Sequence, residues 1–328
     1  MRAYGSVIGG APAKCRVDLS LLLAKGLRMK AAKKILAVTA LVLCLVPTAS
    51  AQTGPKFKGV KPNTPPGFAL KTLLVAAHPE HDVELYVYVP EKAGIYPCIL
   101  DIHGGGWKSR QVENDKPMME RLAQRGFVTA LVSYRLSTEA KYPAALHDCK
   151  AALRTLRAHA AELKIDPERI GCMGGSAGGH LSGLVAMTSG LESLEGSGPH
   201  LECSSAVKAC IVMAAPQDLV ASFKDNPKAE GALLFFGASY AENPAPYKEA
   251  SPIEYVRVGV PPTLFIEGEN DSVKIGRKEM MEKLKALGIE TALHTLKDAP
   301  HPFWMSQPWL DETVNIADDF FSRHLGKK

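Results

Sequence analysis

The chain has 328 residues, 46% of them hydrophobic and 22% charged, which is the balance of a globular protein and excludes a disordered or low-complexity one. Its formal charge of +5 sits at one end: residues 1–51 hold eight Lys/Arg against one acidic residue, and the remainder carries −2, the difference between +5 and +7. That distribution removes the electrostatic case for a nucleic-acid partner, and the length suits one large α/β domain or two small ones.

Residues 29–51, MKAAKKILAVTALVLCLVPTASA, have the parts of an export signal. Lys30, Lys33 and Lys34 form a positive start, residues 35–46 are apolar, and Ala49-Ser50-Ala51 supplies small residues for cleavage before Gln52. The apolar run falls short of the roughly 20 residues of a membrane span, so a retained anchor is the lesser reading and no stable membrane partner is expected. Cys44 follows Leu43, a poor lipid-attachment context. Met29 makes a better start than Met1, and residues 1–28 read as an extension without structure. The chain is expected outside the cytoplasm, secreted or periplasmic. Five cysteines lie beyond the leader, an odd number with no CxxC spacing, so neither a zinc nor a redox motif is supported.

Residues 52–69 are rich in Pro and Lys and read as a loose arm. Residues 70–76 and 82–89 read as strands joined by the HPEHD turn. His78 and His81 in that turn lack the further ligands a metal site needs. A short apolar strand at 97–102 leads into GGGW. A helical pattern covers 118–124, a buried strand 127–134, and a strong helix 144–161 with Leu146, Ala152, Leu153 and Leu156 on one face. A strand at 169–173 is followed by a helix at 177–188. Further strands are expected at 207–214, 263–266 and 290–296, with helices at about 275–287 and at 311–325. Strands rich in Val, Ile and Leu alternating with helices predict an α/β fold: a mostly parallel sheet covered on both faces, with one domain over 70–328.

Between the strand at 169–173 and the next helix lies GGSAGG. One serine stands among four glycines at a strand-to-helix turn. The G-x-S-x-G pattern in that setting is a nucleophile elbow, which lifts the Ser176 hydroxyl clear of the sheet and points the helix N-terminus at any anion formed there. A serine hydroxyl is a weak nucleophile and needs a base and a group to orient the base. Both follow in the expected order. Past the strand at 263–266 come Gly268, Glu269, Asn270 and Asp271; past the last strand comes His301, in a Pro-bracketed loop. His294 falls inside the last strand and reads as a residue without chemical role. The DIHGGGW segment offers backbone N–H groups unobstructed by Cβ atoms, and Ala177 N–H adds another. Such donors stabilise a developing oxyanion by roughly 3–4 kcal/mol each. His103 reads as a brace for this loop, not as a base. A phosphate cradle is a poor reading, since neither G-x-G-x-x-G nor a following Lys-Ser/Thr is present.

HGGGW, YRLSTEAKYPAALHDCKAALRTLR, DPERIGCMGGSAGGHL, GENDSV and DAPHPFW together resemble the α/β-hydrolase superfamily. The likeness is to the HGGG-motif carboxylesterase/lipase group, and within it to secreted bacterial enzymes similar to feruloyl and acetyl-xylan esterases. The resemblance implies Ser176 as nucleophile, Asp271 rather than Glu269 or Asp298 as orienting acid, and His301 as base. It implies Gly105, Gly106 and Ala177 as oxyanion donors, with His103, Gly104 and Trp107 adjoining. It implies a small-molecule or polysaccharide-borne ester as substrate and requires no cofactor. Two departures separate the chain from the hormone-sensitive-lipase-like branch: Gly175 stands where that branch has an acid, and there is no long N-terminal cap. Prolyl-oligopeptidase-type peptidases and arylformamidase-like enzymes share parts of the pattern. Phe235, Phe236 and Tyr240 in the insertion between 215 and 263 are expected to wall a pocket. Phe303 and Trp304 are expected to narrow the alcohol side or to offer a face for a ring.

Overall fold

The structure, a computed structural model, describes residues 63–326. The export signal, the 1–28 extension and most of the arm expected at 52–69 lie outside those residues. Eight strands form one sheet in the order β1-β2-β4-β3-β5-β6-β7-β8. β1 (Phe68–Ala76) and β2 (Val83–Pro90) are the antiparallel pair expected around the HPEHD turn. β2 also pairs antiparallel with β4 (Val128–Val132). From β4 onward, through β3 (Tyr96–Ile102), β5 (Ile165–Gly175), β6 (Cys210–Met213), β7 (Thr263–Gly268) and β8 (Thr291–Leu296), every pairing is parallel.

Parallel strands buried on both faces are continuous apolar runs, which is why β4 (VTALV) and β6 (CIVM) are buried throughout. One face packs on α1 (Val112–Gln124) and α8 (Trp309–Leu325), the other on α2 (Ala144–Ala158), α3 (Ala177–Met187) and α7 (Arg277–Ala286). The insertion between β6 and β7 holds three short helices, α4 (Leu219–Phe223), α5 (Glu230–Phe236) and α6 (Ala245–Glu249).

Two boundaries differ from the sequence expectation for identifiable reasons. α1 begins at Val112, not at 118, and runs through Pro117. The proline removes one intrahelical bond, yet burial of Val112, Met118, Met119 and Leu122 keeps the helix on the sheet. β6 is shorter than the run at 207–214, because β5 and β7 each offer it only four partners, Cys172 to Gly175 and Thr263 to Ile266.

α3 approaches the ends of β3 and β5 very closely. A Cβ on Gly178 would lie 1.7 Å from the Ile102 carbonyl oxygen and 2.6 Å from that of His103. Gly178→Ala is therefore expected to cost roughly 3 kcal/mol, the upper range for overpacking. Gly231→Ala, in α5 with nothing within 4 Å, should be neutral or stabilise by less than about 1 kcal/mol. Urea unfolding of the two variants checks this; equal effects would contradict the packing described.

Candidate active site

In a parallel sheet the loops after the strands open at one edge. Those following β3, β5, β7 and β8 carry the glycine motif, Ser176, Asp271 and His301. Ser176 stands alone between the last residue of β5 and the first of α3, with φ 56° and ψ −122°, a positive-φ conformation that a non-glycine residue adopts only when its surroundings hold it there. Its N–H donates to Met213 O at 2.9 Å, tying the turn to β6. Gly175 is required for a different reason. The Trp304 ring occupies the space beside it, 2.1 Å from where a Cβ would be.

The glycine loop meets this turn because β3 and β5 are neighbours, with Ile102 paired to Gly174. A Cβ on Gly104 would stand 3.5 Å from Ser176 Cβ. Two carbonyls of the loop are pinned. Gly104 O accepts from His103 Nδ1 at 2.7 Å, and Gly105 O accepts from Lys108 N–H and Ser109 N–H at 3.1 and 3.0 Å. In a trans peptide the C=O and the following N–H point oppositely. The amides of Gly105 and Gly106 are thus turned away from those contacts. Ala177, first in α3, contributes an amide with no intrahelical acceptor.

His103 is buried and stacks on Tyr134 at 4.2 Å, and Tyr134 Oη donates to His103 O at 3.0 Å. Burial pulls its imidazole down to about 4, so it is neutral at physiological pH and braces the loop. Trp107 is held in the same way. Its Nε1 donates to His180 Nδ1 at 3.2 Å, while His180 Nε2 donates to Ala250 O at 2.7 Å. His180 therefore joins the glycine loop, α3 and the insertion. The one sequence signal for this role is its place at the end of the GGSAGGH run.

His301 Nδ1 lies 2.7 Å from Asp271 Oδ2. The Asp271 side chain is fully buried and that of His301 is 30% exposed. The other Asp271 oxygen accepts from Val273 N–H at 2.8 Å. Glu269 is engaged elsewhere, accepting from Asp298 N–H at 3.0 Å, so of the three nearby carboxylates Asp271 is the one joined to the imidazole. His294 is exposed on β8.

The aromatic residues expected to line a pocket divide into two groups. Phe235 stacks on Trp107 at 4.7 Å, Phe236 lies 4.0 Å from Tyr247, and Tyr240 packs edge-on to Tyr247 at 5.6 Å. They form a cluster on the insertion that covers the glycine loop. Phe303 and Trp304 are not an open face: they are 0% and 1% exposed. The Trp304 indole N–H donates to Asp115 at 3.0 Å, and its ring meets His301 edge-on at 5.4 Å. With one side against Gly175 and an edge toward His301, it is a spacer between the elbow and the imidazole and has no surface left for a substrate. The two histidines of the HPEHD turn also have structural neighbours: His81 Nε2 is 3.0 Å from Ser133 O, and His78 is 3.9 Å from Asp148.

A family model described as BD-FAE matches residues 85–283, which takes in the glycine loop, Ser176 and Asp271 and ends before His301. Esterase LipQ of Mycobacterium tuberculosis is 30% identical over 240 residues, covering 71% of this chain and 56% of that protein. The chain spans about half the length of the curated relatives it matches, 56% and 42% for the first two. Among solved structures, Thermogutta terrifontis esterase Est2, with propionate bound, superposes at a TM-score of 0.65 with 28% identity over 79% of this chain and 94% of its own. Est2 is also known with butyrate bound and phosphorylated by paraoxon. A bifunctional GH43-CE protein of Bacteroides eggerthii superposes at 0.64 with 28% identity, over 74% of this chain and 36% of its own.

A strongly hydrogen-bonded Nδ1 proton on His301 should give a low-field proton resonance that persists in Glu269→Gln and vanishes in Asp271→Asn; the reverse pattern would reassign the acid. Burial also holds His180 down at about 4 against an ordinary value of 6.5. A depressed histidine stabilises the fold above its unfolded pKa, and that contribution is lost as pH falls from 6.5 through 4. It amounts to roughly 3 kcal/mol. Urea unfolding across that window should show a shallower acid loss for His180→Gln than for the unaltered protein, and equal slopes would refute the assignment.

Proposed function

This chain belongs to the BD-FAE family of α/β-hydrolases, and from that membership we propose that it is a serine esterase acting on short-chain carboxylic esters. The observation that carries the reading is the Asp271–His301 pair at 2.7 Å, separated by the Trp304 ring from an elbow whose serine stands at positive φ. Ser176 attacks the ester carbonyl as His301 Nε2 takes its proton. Asp271 fixes the imidazole with its proton on Nδ1 and stabilises the imidazolium. The oxyanion is met by the amides of Gly105, Gly106 and Ala177, the last free of an intrahelical acceptor at the start of α3. His301 returns the proton to the leaving alcohol, and water releases the acyl group by the same steps. None of these steps calls on a cofactor.

The substrate we propose is a small ester or one borne on a polysaccharide, with an acetyl to butyryl group. Est2 with its bound propionate and butyrate is in keeping with the short acyl part. So is the insertion: helices of five, seven and five residues are too short to roof a long channel, and their aromatics pack down on Trp107. The 29–51 leader pattern supports action outside the cytoplasm, either secreted or periplasmic.

Each methylene that fits should add up to about 0.8 kcal/mol, and one that does not fit adds nothing. On p-nitrophenyl esters kcat/KM should peak from acetyl to butyryl and fall by about tenfold at octanoyl. Activity rising through decanoyl would contradict the short-acyl reading. Ser176→Ala should lower kcat by about 10⁶-fold; retention of a tenth of the activity would remove Ser176 from its role.

A further inference from the structure

Two carboxyl groups lie buried beneath the glycine loop, and the reaction outlined above uses neither. Asp101 is the last but one residue of β3, and Asp115 sits in the first turn of α1; each is 1% exposed. Side chains alternate along a strand, so Asp101 shares the sheet face of Ile99, the face that α1 covers, while Leu100 and Ile102 point to the opposite core. Asp115 lies on the helix that covers this face, and the two carboxyls act on one another as hydrogen-bonding groups. Neither Asp101 oxygen accepts a well-formed hydrogen bond and nor does Asp115 Oδ2; the Gly104 N–H acts on Asp115 only as the smallest of several influences. The fourth oxygen, Asp115 Oδ1, holds the Trp304 indole N–H at 3.0 Å.

Two carboxylates side by side in the interior, with one indole N–H as their well-formed hydrogen bond, do not both ionise readily, because burial and mutual repulsion each oppose the second charge. Burial, then the neighbouring carboxylate, drives Asp101 well above the usual range. Asp115 is raised by burial to about 7, against the pull of the Trp304 indole, the Asp101 carboxyl and the Gly104 N–H. The other titratable groups acting on the pair are Cys172 of β5, whose side chain lies on the opposite face of the sheet, and Tyr134 from the loop after β4, the latter with Arg110 beside it. No cation acts directly on either carboxyl among the described residues.

We propose that Asp101 and Asp115 form a one-proton carboxyl pair that positions the reacting groups, clasping the His301 loop, through Trp304, to the base of the glycine loop. Asp101 keeps the proton and donates it to Asp115. The Asp115 carboxylate, so supported, holds the indole N–H. The indole ring fills the space beside Gly175 and sets its edge against His301. Raising the pH removes the shared proton, leaves two facing carboxylates and pushes β3 and α1 apart at this point. The spacing of His301 from Ser176 is then no longer fixed. The pair touches no substrate; it acts on turnover through Trp304, and the inference rests on the esterase reading.

The test measures kcat and KM for p-nitrophenyl acetate from about pH 6 to about pH 10 in the unaltered protein, Asp101→Asn, Asp101→Leu and Trp304→Phe. The unaltered protein should lose kcat, not KM, on the alkaline side. Asp101→Asn donates the same hydrogen bond with a proton that cannot leave, so its alkaline loss should disappear. Asp101→Leu, which has no donor, should lose kcat by about tenfold or more at neutral pH. Trp304→Phe keeps a ring and deletes the indole N–H; its kcat should fall by about 10–100-fold with KM within about threefold. An alkaline arm unchanged in Asp101→Asn, or Trp304→Phe at full kcat, overturns the pair while leaving the esterase reading standing. No ester turnover by the unaltered protein overturns both. Should Asp101→Asn fail to fold, infrared spectra of the unaltered protein decide. A protonated-carboxyl band present at neutral pH and lost in step with kcat supports the pair; its absence at neutral pH overturns it.

Discussion

The site depends on how closely a helix can be brought to the ends of two parallel strands. α3 sits so near β3 that a single methyl group at Gly178 would overlap the Ile102 carbonyl. That approach turns the chain within one residue, holds Ser176 at positive φ and brings the first amides of α3 beside the glycine loop. Everything else at the site is an arrangement of loops around this fixed point. A sequence with larger residues in GGSAGG would still build the sheet but would set the helix back from it.

The second requirement is to bring together loops far apart in the chain. The parallel sheet does most of this, because the loops after β3, β5, β7 and β8 leave from the same edge. The finer spacing comes from side chains. Trp304 stands between the Gly175 turn and His301, and its indole N–H reaches Asp115 on α1, 189 residues earlier. Trp107 and His180 do the corresponding work on the other side, tying the glycine loop to Ala250 in the insertion. Two buried histidines are used as neutral hydrogen-bonding struts and one exposed to solvent is paired with a carboxylate, so environment alone separates their roles.

Much of this was legible in the sequence because it rests on local chemistry. The strands are short apolar runs, the turn at Ser176 needs glycines, and the order serine, acid, histidine follows the strands that present them. His103 could be recognised as a brace because it lies within the loop it supports. What the sequence hid depends on pairing across the fold. Trp304 stands near His301 in the chain, so it looked available to substrate, but nothing local reveals that α1 and Gly175 enclose it. Asp115 lay outside the helix expected at 118–124, since Pro117 masks the start of α1. The insertion's helices are too short to show a period.

Ser176 is proposed to carry a covalent acyl intermediate at this turn. Rapid mixing with p-nitrophenyl acetate reads that intermediate out. A burst of about one p-nitrophenolate per chain should precede steady turnover, with an acetyl group recovered by mass spectrometry on Ser176 after acid quenching. Ester turnover with no burst and no acetylated serine, equally fast in Ser176→Ala, would contradict it.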